Sequence, residues 1–314
     1  MPRPDTTSRP NADRHRAETR GLWLGLLGVV IFAMTLPMTR LAVGPASDPQ
    51  LPPLFVTAGR AAFAGVLSVF YLALTGAPRV QRRHLAALAT SALGTVVGFP
   101  LFLSLALRQV DAMHAAVVTG LMPLATAIGA ALYFRQRPSI GFWACAALGC
   151  AMVLAFAVWR GAGRLSAADG LLLLAVFFTA LGYVAGARVA AELPAEQVIC
   201  WVLVISLPLT VPMTLATWPV QPVRASSWGG FAYVTLFSMW LGFFAWYRGL
   251  ALGGTVRVSQ VQLVQPFLAL LFAVPVLGEA LDAVTLLFSL AVIAVVFVGK
   301  KMPAGAPRLQ PRNL

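Results

Sequence analysis

Three polar side chains lie on one face of an otherwise apolar run near the C-terminal end of the chain. Ser259, Gln262 and Gln265 are spaced three residues apart, so a helix places them together. Pro266 follows directly and removes a backbone N–H, which can open the helix near Gln262. Amides and a hydroxyl in this position could bind the amine, carboxylate or hydroxyl of a small solute. The alternative is that the glutamines tie neighbouring helices together.

A single arginine and a single tyrosine are further candidates for solute contact. Arg60 lies inside an apolar stretch, where a charge is costly unless it faces a cavity or pairs with another group. It could attract an anionic or carboxylate-bearing solute, or it could clamp backbone carbonyls. Tyr183 lies between Gly182 and Gly186, a spacing that indicates close helix packing around it.

An aromatic stripe is the last candidate. Trp240, Phe243 or Phe244, and Tyr247 recur at helical spacing, so they could form a cavity wall or pack against lipid. Pro123, in the first half of the chain, corresponds to Pro266, and both are predicted hinges. The predicted substrate-binding residues are therefore Arg60, Tyr183, Trp240, Tyr247, Ser259, Gln262 and Gln265.

The elements that must position these residues are membrane helices. The chain has 314 residues, of which 59% are hydrophobic and 11% charged, and its mean hydropathy is +0.83. A soluble domain carries about a quarter charged residues. Apolar runs of spanning length are predicted at Gly21–Val43, Leu54–Thr75, Leu85–Leu107, Ala115–Phe134, Ile140–Val158, Leu171–Ala191, Val198–Trp218, Gly229–Leu250, Val258–Leu277 and Leu281–Gly299.

The basic residues indicate how these spans are oriented. With the N-terminus inside, seventeen of the 23 Lys and Arg residues fall on the inner side, five fall outside, and Arg60 lies within a span. Such a bias predicts two cytoplasmic termini. The net charge of +13 comes from basic residues in short gaps between the apolar runs. These residues indicate orientation in the membrane and do not form a surface for nucleic acid.

The two halves of the chain repeat. A shift of 143 residues places Pro123 on Pro266 and Val118 on Val261. Five helices per half is an odd number, so the second copy enters the membrane upside down. Inverted repeats of this kind place a substrate site near the midplane, where the two halves meet.

Several classes of chemistry are missing from the sequence. All ten acidic residues lie in predicted tails, gaps or helix ends, which argues against a strongly cationic substrate. Transport would then be facilitated, or proton coupling would use Glu279 or a group such as His114, although an interfacial position is the simpler interpretation of His114. Nucleotide-binding and zinc-protease motifs are absent, and the three cysteines lack metal-ligand spacing. The sequence therefore predicts no enzyme activity, no cofactor and no metal.

Four short stretches of the second half make the chain resemble a known family. They are Tyr247-Arg248-Gly249-Leu250-Ala251, then Ser259, then Gln265-Pro266, then Leu277-Gly278-Glu279. With these stretches the chain, over roughly Gly21–Gly299, resembles the bacterial EamA-type transporters of the drug/metabolite transporter superfamily. The first half departs from the pattern, because Phe134-Arg135-Gln136 replaces Leu-Gly-Glu. The resemblance implies ten helices in two inverted repeats around a central cavity, and transport of small organic solutes across the inner membrane.

The expectation is an all-α integral membrane protein with ten transmembrane helices in two inverted five-helix repeats. The repeats span residues 21–159 and 167–299, between cytoplasmic tails at 1–20 and 300–314. We expect a secondary transporter, an exporter of small metabolites such as amino acids, working by alternating access in the bacterial inner membrane. A lipid or lipid-carrier flippase of similar architecture is the alternative. The expected partners are a small-molecule substrate and the bilayer, without nucleic acid; a homodimer is left open.

Overall fold

The computed structural model describes residues 9–133, 139–160, 164–190, 192–253 and 260–302. Within these ranges the chain is helical, with short connections and no β-strand. The helices group into consecutive segments, numbered here in chain order. They are α1 (Arg9–Ala33 and Thr35–Val43), α2 (Pro53–Leu74), α3 (Arg82–Ser91, Ala92–Gly98 and Phe99–Ala106), α4 (Ala112–Thr119 and Met122–Tyr133), α5 (Ile140–Arg160), α6 (Ala167–Ala190), α7 (Ala195–Ala216), α8 (Ala225–Tyr233, Val234–Leu241 and Gly242–Gly253), α9 (Gln260–Val264 and Gln265–Leu277) and α10 (Ala283–Lys301).

The segments have the length and surface of membrane helices. Among the described residues, α1 to α8 each hold a stretch long and apolar enough to cross a membrane, and α9 and α10 hold shorter apolar helices. Large apolar side chains such as Leu74 and Ile140 are almost fully exposed on the outside of the bundle. An apolar exterior of this kind requires lipid around it.

The helix of α1 begins before the apolar stretch that starts at Gly21. It is helical from Arg9 onward, because Arg, Ala and Glu are good helix formers that extend a helix beyond its apolar part.

Prolines divide α1 and α4 at equivalent places. Proline cannot donate to the carbonyl four residues before it, and its ring crowds that carbonyl. In α1 the first piece ends at Ala33, four residues before Pro37. In α4 the first piece ends at Thr119, four residues before Pro123. In α9 a 3₁₀ turn over Gln260–Val264 gives way to an α-helix whose second residue is Pro266.

The helices pack in a symmetric set of pairs. α1 packs on α8 in the way that α6 packs on α3, while α2 pairs with α7, α4 with α9, and α5 with α10. Exchanging each helix with the one five places away leaves this set of pairs unchanged.

Glycines set the distance between two of these pairs. A Cβ added to Gly249 of α8 would lie 2.6 Å from the backbone nitrogen of Gly25 in α1. A Cβ added to Gly182 of α6 would lie 3.1 Å from the Cα of Gly94 in α3. The backbones therefore touch directly, as small residues allow in membrane helix pairs. The close packing that the glycines around Tyr183 predict is confirmed.

Candidate functional site

Two connected cavities lie in the middle of the bundle. The wide cavity, of about 240 Å³, is bounded by α1, α4, α6 and α9. The narrow cavity, of about 40 Å³, is lined mainly by α1, α2, α3, α6 and α8, with Met122 of α4 and Gln265 of α9. Tyr183 and Gln265 line both cavities, so they stand where the two spaces meet. Each of these volumes is large enough to hold water or a small polar group.

The narrow cavity is built around Arg60. This side chain is only 2% exposed, and its Nη2 donates to the Ser238 hydroxyl at 3.2 Å. The Ser238 hydroxyl is also 2.8 Å from the Thr35 hydroxyl. The Arg60 Nε and Nη1 atoms are buried and have no hydrogen-bond partner within the described chain. The alternative that Arg60 clamps backbone carbonyls thus finds no support in its contacts.

Helix breaks border the wide cavity. The break in α4 at Gly120 and Leu121 lies beside Pro123, and Gly120 and Pro123 both line the space. On the opposite wall stand Gln262 of the 3₁₀ turn and Pro266 of the following helix. Irregular backbone inside a membrane is tolerated where it lines such a space. Hinge motion at these prolines stays a prediction.

The structure brings together most of the residues that the sequence predicts for solute contact. Arg60, Tyr183, Gln262 and Gln265 all line one or both cavities. Ser259 lies outside the described residues, as does the departing tripeptide at 134–136. The binding role of these residues stays a prediction, but their convergence from three separate helices gives it a geometric basis.

The aromatic stripe lies apart from these residues, and its predicted role in solute contact stays a prediction. Trp240 and Tyr247 line neither of the two cavities described above. The Trp240 ring packs 5.0 Å from Phe244 and 6.3 Å from Tyr71 of α2, and Tyr247 packs 5.6 Å from Phe243. Only Phe243 of the stripe faces the narrow cavity. The reason is the rotation of α8, which directs most of the stripe into packing between helices.

Several polar residues of the site escaped the sequence prediction. Ser238, Thr35, Thr95 and Thr179 line the narrow cavity. Hydroxyl residues occur throughout these helices, and many donate to the carbonyl one turn back, as Thr179 does to Ala175 at 2.8 Å. Because that local bond satisfies them anywhere in a membrane helix, their position gives no signal of a site.

At one end of the bundle, which we call the upper end, several contacts join the two halves of the chain. Glu279 accepts hydrogen bonds from the backbone N–H groups of Ala112 at 2.7 Å and Met113 at 2.9 Å. Burial raises the pKa of the Glu279 carboxyl, although the two N–H donors oppose that shift. His114 Nε2 lies 2.7 Å from an oxygen of Asp169. His114 is therefore buried and paired with Asp169 near the start of α4.

Further ion pairs of the upper end join the same halves, Arg224 to Asp48 and Arg160 to Asp282. At the opposite, lower end, Glu192 lies 2.8 Å from Arg83 and 3.0 Å from His84. The hydrogen bond from His84, with the charge of Arg83, lowers the pKa of the Glu192 carboxyl. The wide cavity lies nearer this lower end, since Ala130 of α4 and Gln262 of α9 line it.

A bundle with an apolar exterior around a cavity that carries amides, hydroxyls and an arginine has the architecture of a membrane transport protein. The model of the EamA-like transporter family matches the chain twice, over residues 19–158 and 166–299. The chain therefore belongs to the EamA-like transporter family, and it is a multi-pass membrane protein. The resemblance predicted from the residues is confirmed.

Individual proteins agree with this assignment. The chain is 41% identical over 287 residues to a protein of Bacillus subtilis (strain 168) described as the uncharacterized transporter YdeK, covering 90% of this chain and 98% of that one. A crystal structure that is 17% identical matches with a TM-score of 0.60, over 90% of this chain and 98% of the other. The second likeness concerns the fold alone.

Proposed function

We propose that the protein is a secondary transporter that exports small organic metabolites, such as amino acids or related solutes, across the bacterial inner membrane. The proposal has the chain cross the membrane ten times, with both termini in the cytoplasm. Solute moves by alternating access between two inverted halves, residues 21–159 and 167–299. In this proposal the chain has no catalytic activity of its own, and its partners are the solute and the bilayer.

The observation that carries the proposal is the position of the cavities between the two halves. Arg60 and Pro123 come from the first family match, and Tyr183 and Gln265 come from the second. A polar site shared by both repeats is where a rocking motion of one half against the other exposes solute to alternate sides.

The packing pattern supports the inverted-repeat part of the proposal. The pairing of α1 with α8 and of α3 with α6 is what a twofold axis in the membrane plane produces, when each half contributes five helices. The α9 and α10 helices are shorter than the others in the described chain. They complete the second half in this arrangement and make the number of spans even.

The position of the wide cavity fits alternating access. With both termini inside, the connection that carries Glu279 faces outward, and the wide cavity lies toward the cytoplasm. Alternating access includes a state in which the cavity faces the cytoplasm, and an exporter would load its solute in that state.

Transport in proteoliposomes tests the proposal. Purified protein would be reconstituted and given a panel of labelled amino acids and small organic acids, with and without a proton gradient. We expect flux of at least one solute class. Gln265→Ala or Arg60→Ala should abolish that flux, because each removes a polar group from the cavity, while expression and monodispersity stay normal.

Two variants outside the cavity serve as matched controls. Gln109→Ala removes an exposed amide near the upper end, and Arg83→Ala removes a largely exposed guanidinium at the lower end. Both should retain flux. Unchanged flux in Gln265→Ala and Arg60→Ala together would contradict the site. Lipid scrambling without flux of any solute would favour the flippase alternative. Crosslinking of the protein in the vesicles tests separately for a homodimer.

A further inference from the structure

The narrow cavity carries an uncompensated positive charge. Arg60 is buried in the middle of the bundle, and its contact in the described chain is a neutral serine hydroxyl. None of the ion pairs described for this chain includes Arg60, whereas Arg40, Arg83, Arg160 and Arg224 each meet a carboxylate. A buried cation without an anion is costly inside a membrane, so it persists where an anion from elsewhere compensates it.

The free atoms of Arg60 have a definite geometry. One edge of the guanidinium is held by Ser238, which is itself bonded to Thr35. The Nε and Nη1 atoms remain unbonded among the described residues. Each guanidinium N–H can donate a charge-assisted hydrogen bond to a carboxylate oxygen.

The surroundings restrict what else the ligand contains. The narrow cavity opens at Tyr183 and Gln265 into the wide cavity, where apolar residues such as Leu36, Met122 and Ala127 form much of the wall. The wide cavity, at about 240 Å³, falls below the range of about 300–1,000 Å³ that drug-sized ligands use. The ligand must therefore be small, with an apolar body beyond its charged group.

We propose that Arg60, held by Ser238 and Thr35, is the subsite for the carboxylate of a small solute whose apolar body occupies the wide cavity. This inference rests on the proposed transport function and narrows its substrate class to singly carboxylated solutes. Cationic compounds without a carboxylate are excluded, because they would place a second positive charge beside Arg60. A dicarboxylate is disfavoured, because its second charge would enter the apolar part of the cavity.

Binding to the purified full-length protein tests the subsite separately from transport. The probes are matched pairs that differ only in charge: hexanoate with hexanamide, phenylacetate with phenylacetamide, and leucine with leucinamide. Thermal unfolding is followed at increasing probe concentration. We expect at least one carboxylate to raise the unfolding temperature, with an apparent affinity about 10- to 100-fold above that of its amide, as loss of a charge-assisted hydrogen bond implies.

Three variants separate recognition from folding. Arg60→Gln should remove the preference for carboxylate over amide, and Arg60→Lys should restore part of it, because lysine keeps the charge without the planar donors. Arg83→Gln, which also removes one arginine, should retain the full preference. If Arg60→Gln does not purify as a folded protein, Ser238→Ala provides the test. It removes the hydroxyl that holds the guanidinium in place, so carboxylate binding should weaken.

Several results would overturn the carboxylate subsite or the inference that depends on it. Equal effects of acids and amides on the native protein would overturn the carboxylate subsite, and so would a preference that survives Arg60→Gln. Stabilisation by chloride that matches that of the carboxylates would assign the cavity to inorganic anions and also overturn it. Flux of a solute that lacks a carboxylate would refute this inference while leaving the proposed transport function standing, whereas absence of any flux would count against transport alone.

Discussion

Glu279 occupies the position of an N-cap for a helix that belongs to the other half of the chain. The residue before α4 is Asp111, which is among the preferred N-cap types, yet its side chain makes no capping hydrogen bond and is 72% exposed. The carboxylate of Glu279 accepts the Ala112 and Met113 N–H groups instead. A negative charge in this position also favours the positive end of the helix dipole.

We predict that these two acidic residues contribute differently to stability. Glu279→Ala should lower the free energy of unfolding by about 1–2 kcal/mol, because two helix N–H groups lose their acceptor. Asp111→Ala should change it by less than about 0.5 kcal/mol, since it removes only a carboxylate that is 72% exposed and lies 3.7 Å from Arg40. Unfolding in mixed SDS and nonionic detergent micelles measures both. A larger loss for Asp111→Ala would show that capping is local after all.

Helix contacts in this molecule depend on glycine because lipid provides no hydrophobic force that drives helices together. The crossing of α3 and α6 is an example, where Gly94 and Gly182 bring the two backbones into contact. Tyr183, which lines both cavities, is the next residue of α6. The distance between these two helices therefore affects the width of the site as well as the stability of the bundle.

A pair of glycine substitutions on α6 tests this packing. In Gly182→Ala the new Cβ would lie 2.8 Å from the Thr95 backbone nitrogen, so the helices must separate, at a cost of about 1–3 kcal/mol. The matched control is Gly170→Ala on the same helix, where nothing lies within 4 Å. It should be neutral or stabilise by up to about 1 kcal/mol, because alanine is the better helix former. Equal stability of the two variants, measured as above, would contradict a contact at Gly182.

The connections of the whole molecule alternate between its two ends. Segments that follow α1, α3, α5, α7 and α9 meet at the upper end, as the pairs Asp48–Arg224 and Arg160–Asp282 show. Glu192, after α6, meets Arg83 at the lower end. In a membrane these two groups of connections face opposite compartments, and the bias of basic residues predicts that the lower one is cytoplasmic.

Labelling from one side of the membrane tests that orientation. In a variant without the three native cysteines, Arg224→Cys should react in intact spheroplasts with a maleimide that does not cross membranes. Arg83→Cys should react only after the membrane is permeabilised. Both arginine side chains are largely exposed, so failure to label would not come from burial. The reverse pattern would overturn the proposed orientation.

Much of this architecture could be read from the sequence, because its determinants are local. Hydropathy identifies apolar stretches of spanning length without reference to the rest of the chain. Glycines, prolines and basic gaps indicate close packing, breaks and direction in the same way. Each predicted span overlaps one helix of the structure, and the α4 break lies at Gly120 and Leu121, just before Pro123. The first helical piece ends four residues before the proline because the proline lacks the N–H that would bond to the carbonyl at that position.

The composition of the site was decided by tertiary structure. Arg60 and Ser238 are 178 residues apart, and Thr35 and Ser238 are 203 apart. Their meeting depends on how each helix is rotated about its axis. In a soluble protein the polar face of a helix reveals that rotation, but both the lipid and the bundle interior are apolar, so the pattern does not distinguish one from the other. For that reason the sequence left open whether Trp240 lines a cavity or packs elsewhere, and the contact of Ser238 with Arg60 became visible only in the folded chain.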